Sequence, residues 1–305
     1  MSFAVQQALK HLRNINLKHM TDNSTNNQNH TTLTCDVCPH HCRIPTGGYG
    51  RCRARLNNGE KIVCANYGKL TSIALDPIEK KPLACFYPGS MVLSVGSYGC
   101  NLSCPFCQNY EIAAAKEADF HRLYEVTPEK LCDLAIQEKP SGNIGVAYTY
   151  NEALVGYEYV RDCSMLVHAA GMKNVLVTNG TAEPHILEEI LPYIDAMNID
   201  LKGFSDEIYK KLGGDFKTVR NFIKRSAENC HVELTTLIVP GLNDSPEDMK
   251  KEAEWIAGID PAIPLHITRY FPRYKMHEMA TDISVLRLLK TVAEESLENI
   301  FLGNV

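Results

Sequence analysis

The sequence has no apolar run approaching the roughly 18–20 residues that a bilayer-spanning helix requires. Its start, "MSFAVQQALKHLRNINLKHM", lacks the apolar h-region and small-residue cleavage site of a secretory leader. It also lacks a basic run of useful length, and a formal net charge of -5 gives no electrostatic pull towards nucleic acid. These absences predict a soluble cytoplasmic protein with no membrane and no nucleic-acid partner. The N-x-S/T sequons at Asn23 and Asn29 carry no weight without a leader.

What the chain does have is cysteine. There are twelve, and nine of them (Cys35, Cys38, Cys42, Cys52, Cys64, Cys85, Cys100, Cys104 and Cys107) precede residue 110. In a reducing compartment such clustering favours metal or redox chemistry over disulfides. Cys132, Cys163 and Cys230 stand alone and read as small buried hydrophobes.

With 305 residues, 45% of them hydrophobic, the chain can build one large domain or one domain with a small appendage. Val5, Leu9, Leu12 and Ile15 predict a helix over 3–19, followed by a polar linker at 21–32. A Gly-rich, cysteine-rich knot spans Cys35–Cys52, and short strand-like pieces follow it. From Met91 on, short apolar runs alternate with amphipathic stretches. The strand candidates are 92–95, 144–149, 174–178, 196–201, 232–239 and 265–267. Helices are expected from the Thr127-Pro128-Glu129 cap and over 155–170, 184–192, 218–228 and 247–257. This alternation predicts an α/β fold with a parallel sheet and catalytic groups at the strand C-termini. Six strands are too few for a closed eight-stranded barrel; a partial barrel and an open doubly wound sheet both fit. The expected division is 1–75 for the N-terminal helix, linker and cysteine-rich module, and 76–305 for the main domain with a C-terminal extension.

Cys100, Cys104 and Cys107 form C-x3-C-x2-C inside "GSYGCNLSCPFCQNYEI", directly after the first strand candidate. A closed tetrahedral site needs four ligands, so three leave a position open for a substrate. Thiolates suit an iron–sulfur cluster or a zinc ion completed by a distant residue such as His121. Three plain core thiols are the bland alternative. The four cysteines of "CDVCPHHCRIPTGGYGRC" (Cys35, Cys38, Cys42 and Cys52) suit a closed zinc site or a second iron–sulfur cluster serving as an electron relay, with His40 or His41 as substitute ligands.

The stretch Cys100-Asn-Leu-Ser-Cys104-Pro-Phe106-Cys107 resembles the C-x3-C-x-aromatic-C signature of the radical S-adenosylmethionine (radical SAM) enzymes. The resemblance implies a partial (β/α)6 TIM-type barrel, with a [4Fe-4S] cluster on the three cysteines. It also implies reductive cleavage of SAM at the free iron to a 5′-deoxyadenosyl radical, and Phe106 packed beside the adenine. "AYTYNEALVGYEY" resembles the "TYNEP" segment of activating-enzyme-like members, where it holds the amino group of SAM. That points to Tyr150, Asn151 and Glu152, with Ala153 standing where proline is usual. A helix N-terminal charge is the plainer reading of Glu152.

Thr178 and Asn179 end the third strand in a tight turn suited to a ribose or carboxylate. At the fourth exit, Asn198, Asp200 and Lys202 share one side of a strand and face SAM or substrate, unless Asp200 and Lys202 form a structural ion pair. His266, at the sixth, is either a ligand or a satisfied core histidine. Together with "LDPIEKKPLACFYPGS" and "PLHITRYFPRY", these segments resemble the AmmeMemoRadiSam-system radical SAM proteins, relatives of pyruvate formate-lyase activating enzymes. The partners so implied are a small-molecule, peptide or protein substrate, an electron donor such as flavodoxin or ferredoxin, and AMMECR-type and Memo-type proteins. A glycyl-radical activase and a non-catalytic iron–sulfur carrier or scaffold are the competing functions.

Overall fold

Eight strands form one sheet, and their spatial order is their order in the chain. In the computed structural model, which describes residues 31–305, they are β1 (Ser72–Pro77), β2 (Met91–Gly96), β3 (Asn143–Tyr148), β4 (Lys173–Thr178), β5 (Ala196–Asp200), β6 (His231–Ile238), β7 (Leu265–Arg269) and β8 (Ile300–Gly303). β2 to β8 run parallel and β1 is antiparallel to β2. Among the described residues no pairing joins β1 to β8, so the sheet stays open. The helix expected at 3–19 and most of the polar linker lie outside the described residues.

All six expected strands are present. β1 corresponds to one of the strand-like pieces expected after the cysteine-rich knot and joins the main sheet as an edge strand; β8, the other edge, was not foreseen. β1 pairs with β2 from Ser72 to Pro77, so the expected domain boundary at 75/76 falls inside a strand of the main sheet. The helices are α1 (Pro128–Gln137), α2 (Tyr157–Ala169), α3 (Pro184–Ile190), α4 (Asp206–Leu212), α5 (Phe216–Ala227), α6 (Pro246–Ala257) and α7 (Ile283–Ala293). Their starts follow local chemistry. Thr127, Ser205, Asp215, Ser245 and Asp282 each accept a backbone N–H of the first turn, and Pro128, Pro184 and Pro246 need no such partner. α4 and α7 escaped the sequence reading, α4 because seven residues show little periodicity. None of the described helices is long and apolar enough to cross a membrane.

Alternation along the strands sorts two faces. Leu93, Val95, Val146, Leu176, Met197, Ile199, Leu234 and Ile267 point outward into the core beneath the helices. The inner face carries Val92, Ala147, Val175 and Ala196, and it is filled by Ile78, Leu83 and Phe86 from the β1–β2 connection. Small residues on the strands make room for that segment, which plugs the inner face near the N-terminal ends of the strands. Its backbone is fastened by polar groups. Glu233 accepts the N–H groups of Ala84 and Cys85 at 2.8 Å each, and it also takes His231 at 2.9 Å and His266 at 2.6 Å. Asn198 Nδ2 donates to Pro82 O at 2.8 Å, while its Oδ1 accepts from Thr235.

Burial alone would raise the Glu233 carboxyl, but the two histidines and two backbone donors outweigh it and hold it at about 2. A carboxyl taken from 4.5 to about 2 contributes about 3 kcal/mol at neutral pH. The contribution is whole above 4.5 and is lost as the pH falls towards about 2. Glu233→Gln is therefore expected to lose about 3 kcal/mol in urea melts at pH 7. The loss should shrink as both proteins are taken below about pH 4. An undiminished difference at low pH would break the assignment.

Candidate functional site

The C-terminal strand ends surround a cavity of about 390 Å³. The loop after β2 supplies one wall, with Cys100, Cys104, Phe106 and Cys107 all lining it. This loop is braced from behind by the cysteine-rich module. His40 Nε2 lies 2.8 Å from Asn101 O, and Arg51 Nη2 donates to Ser103 Oγ at 2.9 Å. Gly99 has φ of +90°, and a Cβ there would meet Cys52 O at 2.5 Å, so glycine lets the two backbones touch. Phe106 is buried against Ile208, Leu212, Val239 and Tyr270, and its other side faces the cavity.

Burial raises all three thiols, Cys104 to about 11. Cys100 feels Glu152 and both other cysteines, which raise it further. Lys202 counters this at Cys104 and Cys107. Thiols raised by burial in a desolvated wall become thiolates only with a cationic partner, a donor set that suits an iron–sulfur cluster or a zinc ion. All twelve cysteines are free thiols. As the side chains stand, no three His, Cys, Asp or Glu among the described residues converge as an ion site. His121 is exposed and is not part of the cavity lining, so nothing places it as a fourth ligand.

The wall opposite is built from strand exits. Glu152 is fully buried and accepts from Thr178 Oγ1 at 2.7 Å, Asn179 N at 2.8 Å and Leu154 N at 3.0 Å. Its bond to Leu154 N caps the short 3-10 turn that follows, so the plainer reading of Glu152 is met as well. Burial raises its carboxyl in spite of these donors. Asn179 Nδ2 bridges to Asn101 Oδ1 at 3.0 Å and lies 3.7 Å from Cys100 Sγ, joining this wall to the cysteine loop. Asn151 holds the same loop through Ser97 N and Gly99 O. Asp200 and Lys202 pair at 2.8 Å. Burial opposes the Lys202 charge, but Asp200 and the neighbouring thiols outweigh it and keep it protonated.

Eight of the ten residues expected at a cofactor line this cavity: Phe106, Tyr150, Asn151, Glu152, Thr178, Asn179, Asp200 and Lys202. Asn198 and His266 do not. They share the inner face with Asp200 and Thr268, but a two-residue step along a strand shifts depth by nearly 7 Å. Asn198 holds Pro82, and His266 is bonded to Glu233 and stacked on Phe301, a satisfied core histidine. The sequence reading missed Lys80, Lys81, Thr235, Thr268 and Asn304, which also line the cavity. The only available signal was the paired lysine in "IEKKP".

In the N-terminal module Cys35, Cys38 and Cys52 are buried and influence one another, and burial pushes Cys38 up to about 12. Cys42 is half-buried, with its sulfur 3.5 Å from Arg51 N. The substitute ligands have other partners: His40 is on Asn101 O, and His41 is 3.2 Å from Glu183.

Residues 94–256 match the model of the radical SAM superfamily. An uncharacterized protein of Methanocaldococcus jannaschii is 38% identical over 277 residues, 90% of this chain and 81% of its own length. The pyruvate formate-lyase-activating enzyme of Clostridium pasteurianum is 31% identical over 170 residues, 53% of this chain and 67% of its own. Among solved structures, Streptococcus suis SuiB bound to S-adenosylmethionine shares the fold with a TM-score of 0.53 at 16% identity, over 70% of this chain and 52% of SuiB. A radical SAM methyltransferase from Sphaerobacter thermophilus does so with a TM-score of 0.53 at 14% identity, over 71% of this chain and 67% of its own. The chain belongs to the radical SAM superfamily and is an enzyme of that group, homologous to the pyruvate formate-lyase activating enzymes.

Proposed function

We propose that Cys100, Cys104 and Cys107 hold a [4Fe-4S] cluster and that the cavity beside them binds SAM and a substrate that loses a hydrogen atom. The observation that carries this reading is the shared cavity: three thiols and Phe106 on one loop line it together with seven polar or aromatic residues from the other strand exits. When bound, the cluster supplies one electron that cleaves SAM to methionine and a 5′-deoxyadenosyl radical.

The chain's own residues bind and orient. Glu152 is fixed by three donors, so its buried negative charge is aimed without rotameric freedom at the ammonium of the methionine moiety. Phe106 offers its face to the adenine. Thr178 and Asn179 place hydroxyl and amide groups for ribose or carboxylate. Lys202, held by Asp200, offsets the negative charge of thiolates in a dry wall.

The module at Cys35, Cys38, Cys42 and Cys52 belongs to the same reading as a zinc or second cluster site. Elemental analysis of a variant lacking the three loop cysteines separates zinc from iron there. A cytoplasmic setting, a flavodoxin or ferredoxin donor, and AMMECR-type and Memo-type partners follow as parts of this proposal. The relatives named as activating enzymes favour a second reading, in which the hydrogen comes from a glycine of a partner protein.

Anaerobic reconstitution with iron and sulfide, followed by dithionite and SAM, should release 5′-deoxyadenosine detectable by chromatography. Cys104→Ala should release none above the enzyme-free control, and full cleavage by that variant would remove the cluster from this loop. Glu152→Gln should weaken SAM binding in equilibrium dialysis by about tenfold or more, the value of a charge-assisted hydrogen bond. Unchanged affinity would detach Glu152 from SAM. A glycyl-radical resonance on an added candidate partner would decide for the activase reading.

A further inference from the structure

One side of the cavity is formed by the β1–β2 plug through Lys80, Lys81 and Pro82, and it contains a buried amine with spare donors. Lys81 is 2% exposed. Its Nζ donates to Asp76 Oδ2 at 2.9 Å and sits 4.7 Å from the centre of the Tyr150 ring. Among the described residues Asp76 is its only hydrogen-bond partner, although an ammonium carries three N–H groups. A buried charge that leaves donors unused is costly unless something else accepts them.

The arrangement is a built one. Tyr150 has φ of +73°, a left-handed backbone that a non-glycine residue adopts only under constraint. That backbone brings its hydroxyl to Asp76 at 2.7 Å and its ring beneath Lys81. Gly96 makes the space, since a Cβ there would lie 2.6 Å from Tyr150 Cδ2. Asp76 is fully engaged by Tyr150, Lys81 and, at 3.5 Å, Lys80. Lys80 reaches the same carboxylate only from an exposed position, so Lys81 is the buried amine of this pair. Thr235 and Thr268 line the same cavity, their hydroxyl protons given to Asn198 Oδ1 and Thr236 O.

We propose that Lys81 receives a carboxylate of the substrate, so that this cavity works on a small organic acid. The proposal rests on the reading of the cavity as the radical site and adds the substrate class. A buried ammonium with N–H groups to spare suits a carboxylate, which accepts such bonds on both oxygens. The same chemistry could come from the carboxylate of SAM, and the test separates the two.

Reductive methylation with formaldehyde and cyanoborohydride, read by peptide mapping, reports the reactivity of each lysine without any radical chemistry. It is run on the protein with and without reconstituted cluster and SAM, using malonate as the carboxylate probe. Lys81 should be methylated, and malonate should slow that modification by about tenfold or more with SAM present, while Lys251 on exposed α6 is unaffected. Three results would overturn the proposal. Lys81 could stay unmodified in cluster-free protein whose Cys100, Cys104 and Cys107 are alkylated, showing an open cavity but a sealed amine. Malonate could give no protection. SAM alone could protect fully with nothing added by malonate, assigning the amine to the cofactor. None of these results touches the release of 5′-deoxyadenosine, and a failure of that release would leave the labelling result standing.

Discussion

Glu233 is a carboxylate with no exposed side-chain surface, and its four donors tie the β1–β2 connection to β6 and β7. An open parallel sheet has an inner face that must be covered, and among the described residues no α-helix packs in the cluster that covers it near the N-terminal strand ends. The plug does so with Ile78, Leu83 and Phe86, and its backbone between them is then bonded to the sheet rather than left to compete for water. Glu233 and Asn198 make those bonds. Without that fastening, the side of the cavity that carries Lys81 would have no fixed position.

The site therefore has two supports on different parts of the chain. The cysteine loop is braced by the N-terminal module, through Arg51, His40 and the close approach at Gly99. The opposite side is braced by the plug. Glu152 and Asn179 tie the β3 and β4 exits to the cysteine loop, because Asn179 gives its N–H to Glu152 and its amide to Asn101 beside Cys100. A carboxylate held by three donors loses little entropy when a cation arrives, so the groups around it are preorganised for a charged ligand.

Much of this was legible along the chain. The six central strands were visible because apolar runs between caps and prolines have no other stable use, and a polar residue directly after such a run sits at the C-terminal rim. That is why Thr178 and Asp200 could be placed at the cavity from position alone, while Glu152 came from the resemblance of its segment. Asn198 and His266 were misplaced for the same reason in reverse: alternation reports which face a residue is on and says nothing of its depth. β8 went unseen because an edge strand takes its hydrogen bonds from one neighbour and its own sequence is weakly patterned, and the strand-like piece at β1 gave no sign that it belongs to the main sheet.

The sequence by itself carried the three-thiol loop, whose spacing left iron–sulfur and zinc open, and its resemblance to the radical SAM signature pointed to the family that the comparisons bear out, because that signature lies within one local stretch of chain. It also determined the strand and helix alternation, through capping and periodicity that act within a few residues. Only the tertiary structure decided what fills the inner face, which polar groups face the cavity and which hold the plug, and that Lys81 ends buried beside Asp76 and Tyr150. Those outcomes depend on contacts between residues 76–86 and residues 150–266. No local pattern encodes such pairings; they form only when the sheet closes around the segment that it buries.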